Sequence, residues 1–235
     1  MRLFRDTPES VLALYAHPDD ADVAAGGALA RWAKEGARVE LVIVCDGAKG
    51  SHDPSVNVAD LRARRAEELA EAARLLGLHS VACLALPDGE VTNSNEFRGQ
   101  LVGLIRSKRP TMVVGPDPTA VFFDGVYVNH RDHRELGWAL LDAVAPAAAM
   151  PLYFPEHGAA HQVGTVLLSG THEPDVVVDI TASINDKVAA VVAHHSQVSG
   201  DAEWVSSAIR GRAEPVGRDV NVRFGEAFRC VELAS

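Results

Sequence analysis

The sequence is short of cysteine. The three it has, Cys45, Cys83 and Cys230, are widely spaced and form no C-x-x-C pair. That excludes a disulfide framework or a thiolate metal knuckle. Cys45 and Cys83 lie inside apolar runs and are expected to be reduced core thiols, which fits a cytoplasmic protein. No apolar stretch approaches the roughly 18–20 residues needed to cross a bilayer, so membrane insertion is not expected. The first fifteen residues carry Arg2, Arg5, Asp6 and Glu9 and show no uninterrupted apolar core or cleavage site of a secretory leader. Basic residues are few as well: 22 Lys and Arg stand against 32 Asp and Glu, for a formal net charge of −10. Nucleic acid and anionic membranes, which need a basic face, are therefore poor partners, and a neutral or cationic small substrate suits the chain better. Internal repeats, low-complexity tracts and linkers are all missing, so the 235 residues read as a single domain spanning 1–235.

What is present is an alternation. Short apolar runs at Val11–Ala16, Val39–Cys45, Val81–Leu84, Met112–Gly115, Thr165–Leu168 and Val176–Ile180 read as buried strands. Helical patterns lie among them: Val23–Lys34, Ala59–Leu76, Glu96–Ser107, Arg134–Val144 and Ile184–His194. Near-continuous apolar strands alternating with helices predict an α/β fold, a mainly parallel, Rossmann-like sheet with helices on both faces. Its active site is expected at the carboxyl ends of the strands. Three longer connections, Asp46–Asn57, Pro116–Asn129 and Gln197 to about Arg223, are rich in Gly, Pro, Asp, Asn or Ser and read as functional loops.

Two clusters carry chemistry. His17-Pro18-Asp19-Asp20 ends the first apolar strand, and Asn129-His130-Arg131-Asp132-His133 follows the loop after Met112–Gly115. In a parallel sheet these ends share one edge, so the clusters can converge across more than a hundred residues. Neutral imidazoles with a carboxylate are the ligand set of a catalytic zinc with one position open. Each cluster alone also reads as a turn and helix cap. Two of them at strand ends are hard to obtain from capping alone.

These residues resemble the PIG-L/LmbE-like zinc N-deacetylases, which include enzymes of mycothiol, bacillithiol and glycolipid-anchor synthesis. The resemblance extends to Asp46-Gly47, Arg64-Arg65-Ala66-Glu67, Leu86-Pro87-Asp88-Gly89 and Ala193-His194-His195-Ser196-Gln197, in the family's order. It implies that His17, Asp20 and His133 hold the metal, with Asp19 as general base and His130, kept protonated by Asp132, assisting at the oxyanion. It further implies that Arg64 or Arg65, Asp88, Tyr127 and His194 contact substrate. The implied cofactor is Zn2+, although two histidines and a carboxylate also suit Fe2+. The implied reaction removes acetyl from a small N-acetylated amino sugar of the N-acetylglucosamine type or its conjugate. An amidase of the same fold cleaving a larger amide, such as a thiol-conjugate, is the alternative. Of other classes, a nucleotide-binding module lacks the G-x-G-x-x-G turn, and a purely structural zinc site would be expected to use four protein ligands, often Cys. Self-association into a homo-oligomer is compatible with the sequence. The chain departs from the family in one place: many relatives carry Glu after the paired aspartates, whereas here Ala21 and then Asp22 follow.

Overall fold

A computed structural model describes residues 1–198 and 201–234. The strands are β1 (Arg2–Phe4), β2 (Ser10–Tyr15), β3 (Arg38–Cys45), β4 (Ser80–Leu86), β5 (Met112–Pro116), β6 (Phe122–Phe123), β7 (Tyr127–Val128), β8 (Thr165–Ser169), β9 (Val176–Asp179) and β10 (Gly225–Glu232). The α-helices are α1 (Asp20–Lys34), α2 (Val58–Leu75), α3 (Asn95–Lys108), α4 (Arg131–Asp142), α5 (Ile184–Ala193) and α6 (Ala202–Arg218). Eight strands form one sheet in the order β1-β9-β10-β8-β5-β2-β3-β4, in which β10 alone pairs antiparallel with its neighbours. The mainly parallel α/β sheet predicted from the alternation is the one observed. β6 and β7 form a separate hairpin.

Alternation along the strands builds two cores. On β2, Val11, Ala13 and Tyr15 face the layer made by α1 and parts of α2, α5 and α6, while Leu12, Leu14 and Ala16 face the layer of α3 and α4. Both faces of the strand are dry, which is why its sequence runs apolar without interruption. The chain proceeds from β2 to β3 and β4 on one side, then returns to place β5 on the other side of β2. This reversal leaves a crevice beyond the carboxyl ends of β2 and β5, the place where open α/β sheets bind ligands.

Two expectations need correction. Cys83 is exposed, because β4 is the last strand of the sheet and is largely uncovered. The tract from Gln197 to about Arg223 is largely the helix α6, with Ser199 and Gly200 outside the described residues. Gly211, Pro215 and Gly217 hide its stripe of Val205, Ile209, Ala213 and Gly217, spaced four apart. Strand β10 is masked by Glu226, Arg229 and Glu232, whose charges interrupt its apolar run.

Glu226 ties that strand to the helix layer. Its carboxylate accepts the amides of Gly27 (2.9 Å) and Ala28 (2.7 Å) in the middle of α1 and pairs with the buried ammonium of Lys187. Lys187 also donates to the Val23 carbonyl at 2.8 Å. Removing one member of such a pair leaves an uncompensated buried charge. Glu226→Ala is therefore expected to lower the unfolding free energy by about 3–5 kcal/mol in urea titration. Glu232→Ala, which breaks the exposed Arg2–Glu232 pair, should cost no more than about 1 kcal/mol.

Candidate active site

Both sequence clusters arrive at the crevice. His17 follows β2, Asp19 occupies the position before α1, and Asp20 and Asp22 fall in that helix's first turn. The second cluster opens α4, three residues earlier than its apolar pattern suggested, because the His130 side chain caps the helix by accepting the Asp132 amide at 3.2 Å.

Three donor atoms converge. His17 Nδ1 lies 3.2 Å from both Asp20 Oδ2 and His133 Nε2, and His133 Nε2 lies 3.0 Å from the same Asp20 oxygen. The opposite ring nitrogens are already engaged by acceptors. His17 Nε2 faces Asp88 Oδ1 at 3.2 Å, and His133 Nδ1 faces Asn129 Oδ1 at 3.0 Å. Asn129 is held in that orientation by donating its own amide to the Ala120 carbonyl. In neutral rings these acceptors place the protons on His17 Nε2 and His133 Nδ1, so two lone pairs and a carboxylate oxygen point at one another. That contact is repulsive unless a cation lies among the three. Bonds of about 2.0–2.1 Å to a tetrahedral zinc separate neighbouring ligand atoms by about 3.3 Å, so the observed triangle fits the ion. His17, Asp20 and His133 thus form a group able to hold a metal.

The electrostatics carry the same demand for positive charge. Burial opposes protonation of His17, yet its hydrogen bonds to the Asp20 and Asp88 carboxylates overcome it and raise the pKa to about 10. Burial likewise opposes the Asp20 charge and is outweighed by His133 and His17, which hold the carboxyl well below its usual range. Hydrogen bonding to His17 lowers Asp88 despite its burial.

A second grouping, His17, Asp88, His130 and Asp132, lies beside the first and shares His17. Its members are already occupied. Asp132 is fully buried and accepts the amides of Gly89 (2.7 Å) and Val91 (3.1 Å), and Asp88 accepts the Lys49 amide at 3.1 Å. The expectation that Asp132 keeps His130 protonated does not match this arrangement. Asp132 Oδ2 is 3.8 Å from His130 Nδ1 but 3.4 Å from His17 Nε2. Burial first, and the neighbouring His17 second, push the pKa of His130 below the usual imidazole value.

The expected substrate contacts divide. Tyr127, half exposed on the β6–β7 hairpin, faces the crevice. Arg64 is exposed on α2, whereas Arg65 is buried and engaged: Nη2 donates to Asp19 Oδ1 and Nη1 to the Gly47 carbonyl, both at 2.9 Å. The loop passes so closely over this guanidinium that a Cβ on Gly47, whose φ is +64°, would lie 2.7 Å from Nη1. Asp88, expected on a sugar hydroxyl, is spent on His17. His194 does not reach the crevice: it is fully buried and bonded through Nε2 to Asp22 Oδ2 at 2.7 Å. That buried pair is the use the chain makes of the displaced carboxylate at Asp22, whose pKa burial raises. Sequence reasoning gave no role to Asn129, although its four-residue spacing from His133 on one helical edge is a usable signal.

Two cavities meet at this centre. A polar one of about 350 Å³ includes Lys49, Arg65, Asp88 and Gln197, and a larger one of about 780 Å³ includes Val23, Phe123, Val126 and Ser169. Asp19, Asp20, Tyr127 and His133 line both.

The profile of the PIG-L family, described as GlcNAc-PI de-N-acetylase, matches residues 12–144. A diacetylchitobiose deacetylase of Thermococcus kodakarensis is 31% identical over 228 residues, covering 95% of this chain and 83% of the relative. Among solved structures, the N,N'-diacetylchitobiose deacetylase of Pyrococcus horikoshii superposes with a TM-score of 0.87 at 31% identity, covering 96% of this chain and 84% of that one. A 4-carboxy-2-hydroxymuconate hydratase of Pseudomonas putida superposes at 0.79 with 22% identity, covering 97% and 98%. That last likeness is one of fold alone, so chemistry has to be read from the site.

His133→Ala is expected to abolish stoichiometric zinc retention in a competition assay against a chromophoric chelator. Asn129→Ala, which removes only the ring's orienting acceptor, should weaken zinc affinity by about 10- to 100-fold.

Proposed function

This chain belongs to the PIG-L family, GlcNAc-PI de-N-acetylase, and on that premise we propose that it is a metal-dependent hydrolase removing the acetyl group from an N-acetylated amino sugar. The observation that carries this reading is the triangle of His17 Nδ1, Asp20 Oδ2 and His133 Nε2 at the junction of two cavities, with the carboxylate of Asp19 beside it.

In this reading His17, Asp20 and His133 hold a zinc ion, and the same donors would accept Fe2+. When bound, such an ion supplies Lewis acidity, lowering the pKa of a water from 15.7 to about 7 and polarising an amide carbonyl. Asp19 is the general base. Arg65 fixes one of its oxygens, leaving the other to take the proton of the attacking water and return it to the departing nitrogen. His130 has its Nδ1 occupied by the Asp132 amide, so as a neutral ring it carries its proton on Nε2 and offers that donor to the developing oxyanion. Asp132 then acts at one remove, holding the Gly89–Val91 backbone and standing against His17. Lys49, Tyr127 and Gln197 line the smaller cavity and make it the polar berth for the sugar hydroxyls.

The test is amine release from a panel of N-acetylglucosamine derivatives by the zinc-loaded protein. Asp19→Asn is expected to lose about 10²- to 10⁴-fold in kcat while keeping its metal. Wild-type kcat in that variant would overturn the assignment of the base.

A further inference from the structure

We propose that two copies of this chain join along β4, edge to edge about a two-fold axis, with their α2 helices antiparallel beside the joined strands. The open edge is the first argument. β4 pairs with β3 on one side, and among the described residues no strand pairs with it on the other. Its sequence, Ser80 to Leu86, has no charged residue and no proline, and Ala82, Cys83 and Ala85 are exposed. Such an edge offers free amides and carbonyls to another strand; charges, prolines or a very short strand are the usual defences. The sheet's other edge has two of these, because β1 is three residues long and begins with Arg2. The irregularity in β4, at Ala85 with φ of +55°, falls near its carboxyl end and leaves Ser80–Cys83 in regular register with β3.

The charge pattern of α2 is the second argument, and it names the occupant. Leu69 turns to the sheet, and Ala72 and Leu76 pack with α1 and α5. At 100° per residue, the flank away from α5 carries the exposed Ala59, Ala63, Ala66 and Ala70, which leave room for another helix. On the solvent side of that row stand Asp60, Arg64, Glu67, Glu71 and Arg74, all exposed. Laid antiparallel about Ala66 and Glu67, the row falls on its own copy. Arg74 then meets the partner's Asp60, and Arg64 meets the partner's Glu71. Glu67 alone falls opposite a like charge, and an Arg64 lies one helical turn away on each copy. A surface complementary to itself in this way is what a two-fold contact requires, so the partner is a second copy. One axis serves strand and helix. Ala66 and Glu67 lie about 13 Å back from Leu75 along α2, and Cys83 lies about 10 Å beyond Ser80 along β4. A short turn joins Leu75 to Ser80, so both centres stand at nearly the same height.

The test is sedimentation equilibrium of the full chain. The wild-type protein at micromolar concentration is expected to show twice 25.0 kDa, and Ala82→Lys, which charges the edge, 25.0 kDa. Asp60→Arg and Arg74→Asp should each weaken the dimer about two- to tenfold, and the two together should recover the wild-type dissociation constant. That recovery reports the antiparallel pairing and decides the matter even where Ala82→Lys fails to fold. A short bismaleimide should link the copies through the exposed Cys83, and Cys83→Ser should abolish the link. A mass of 25.0 kDa at every micromolar concentration overturns the proposal. So does an assembly that a folded Ala82→Lys leaves intact, or a double exchange that stays as weak as the single ones. None of these readouts involves deacetylation, so the proposal stands or falls separately from the activity.

Discussion

Everything at this centre depends on how four carboxylates are allowed to stand in one crevice, three of them around a single imidazole. Two like charges 4 Å apart repel by about 4 kcal/mol at an effective dielectric constant of about 20, so a cluster of this kind needs a partner for each member. Asp19 has the guanidinium of Arg65, Asp132 has the amides of Gly89 and Val91, and Asp88 has the amide of Lys49 and the His17 ring. Asp20 Oδ2 has the His17 backbone amide at 2.7 Å. The same oxygen faces His17 and His133, whose donor nitrogens face one another as well. A divalent cation satisfies that triangle without protonating either ring.

The sheet reversal makes this convergence possible, and the helix layers hold it still. His17 and His133 belong to chain segments that leave β2 and β5, which are hydrogen-bonded neighbours in the sheet. Asp20 lies in the first turn of α1, so its carboxylate inherits the rigidity of a helix packed on the dry face of Val11, Ala13 and Tyr15. The Lys187–Glu226 pair and the Asp22–His194 pair tie α1 to α5 and β10 from beneath. Both pairs stabilise the position of α1 without touching the crevice.

The sequence made some of this legible and concealed the rest. Six strands and five helices could be read because buried parallel strands are apolar without interruption and the helices keep their period. The His-Pro-Asp-Asp and His-Arg-Asp-His clusters were legible because each is compact and ends a strand. Roles that depend on distant partners were not. Arg65 looks like a substrate contact until its target is seen to be Asp19, 46 residues away, and His194 looks equally available until its bond to Asp22 is seen. Helix α6 was hidden by two glycines and a proline, which obscure the spacing of Val205, Ile209 and Ala213.

The central claim is that one metal ion, held by His17, Asp20 and His133, makes amide hydrolysis available to Asp19. The most direct measurement is amine release from an N-acetylated amino sugar by metal-stripped protein titrated with zinc. The account predicts no release before metal is added and a linear rise that breaks at one equivalent per chain. Undiminished release after exhaustive removal of metal would contradict it.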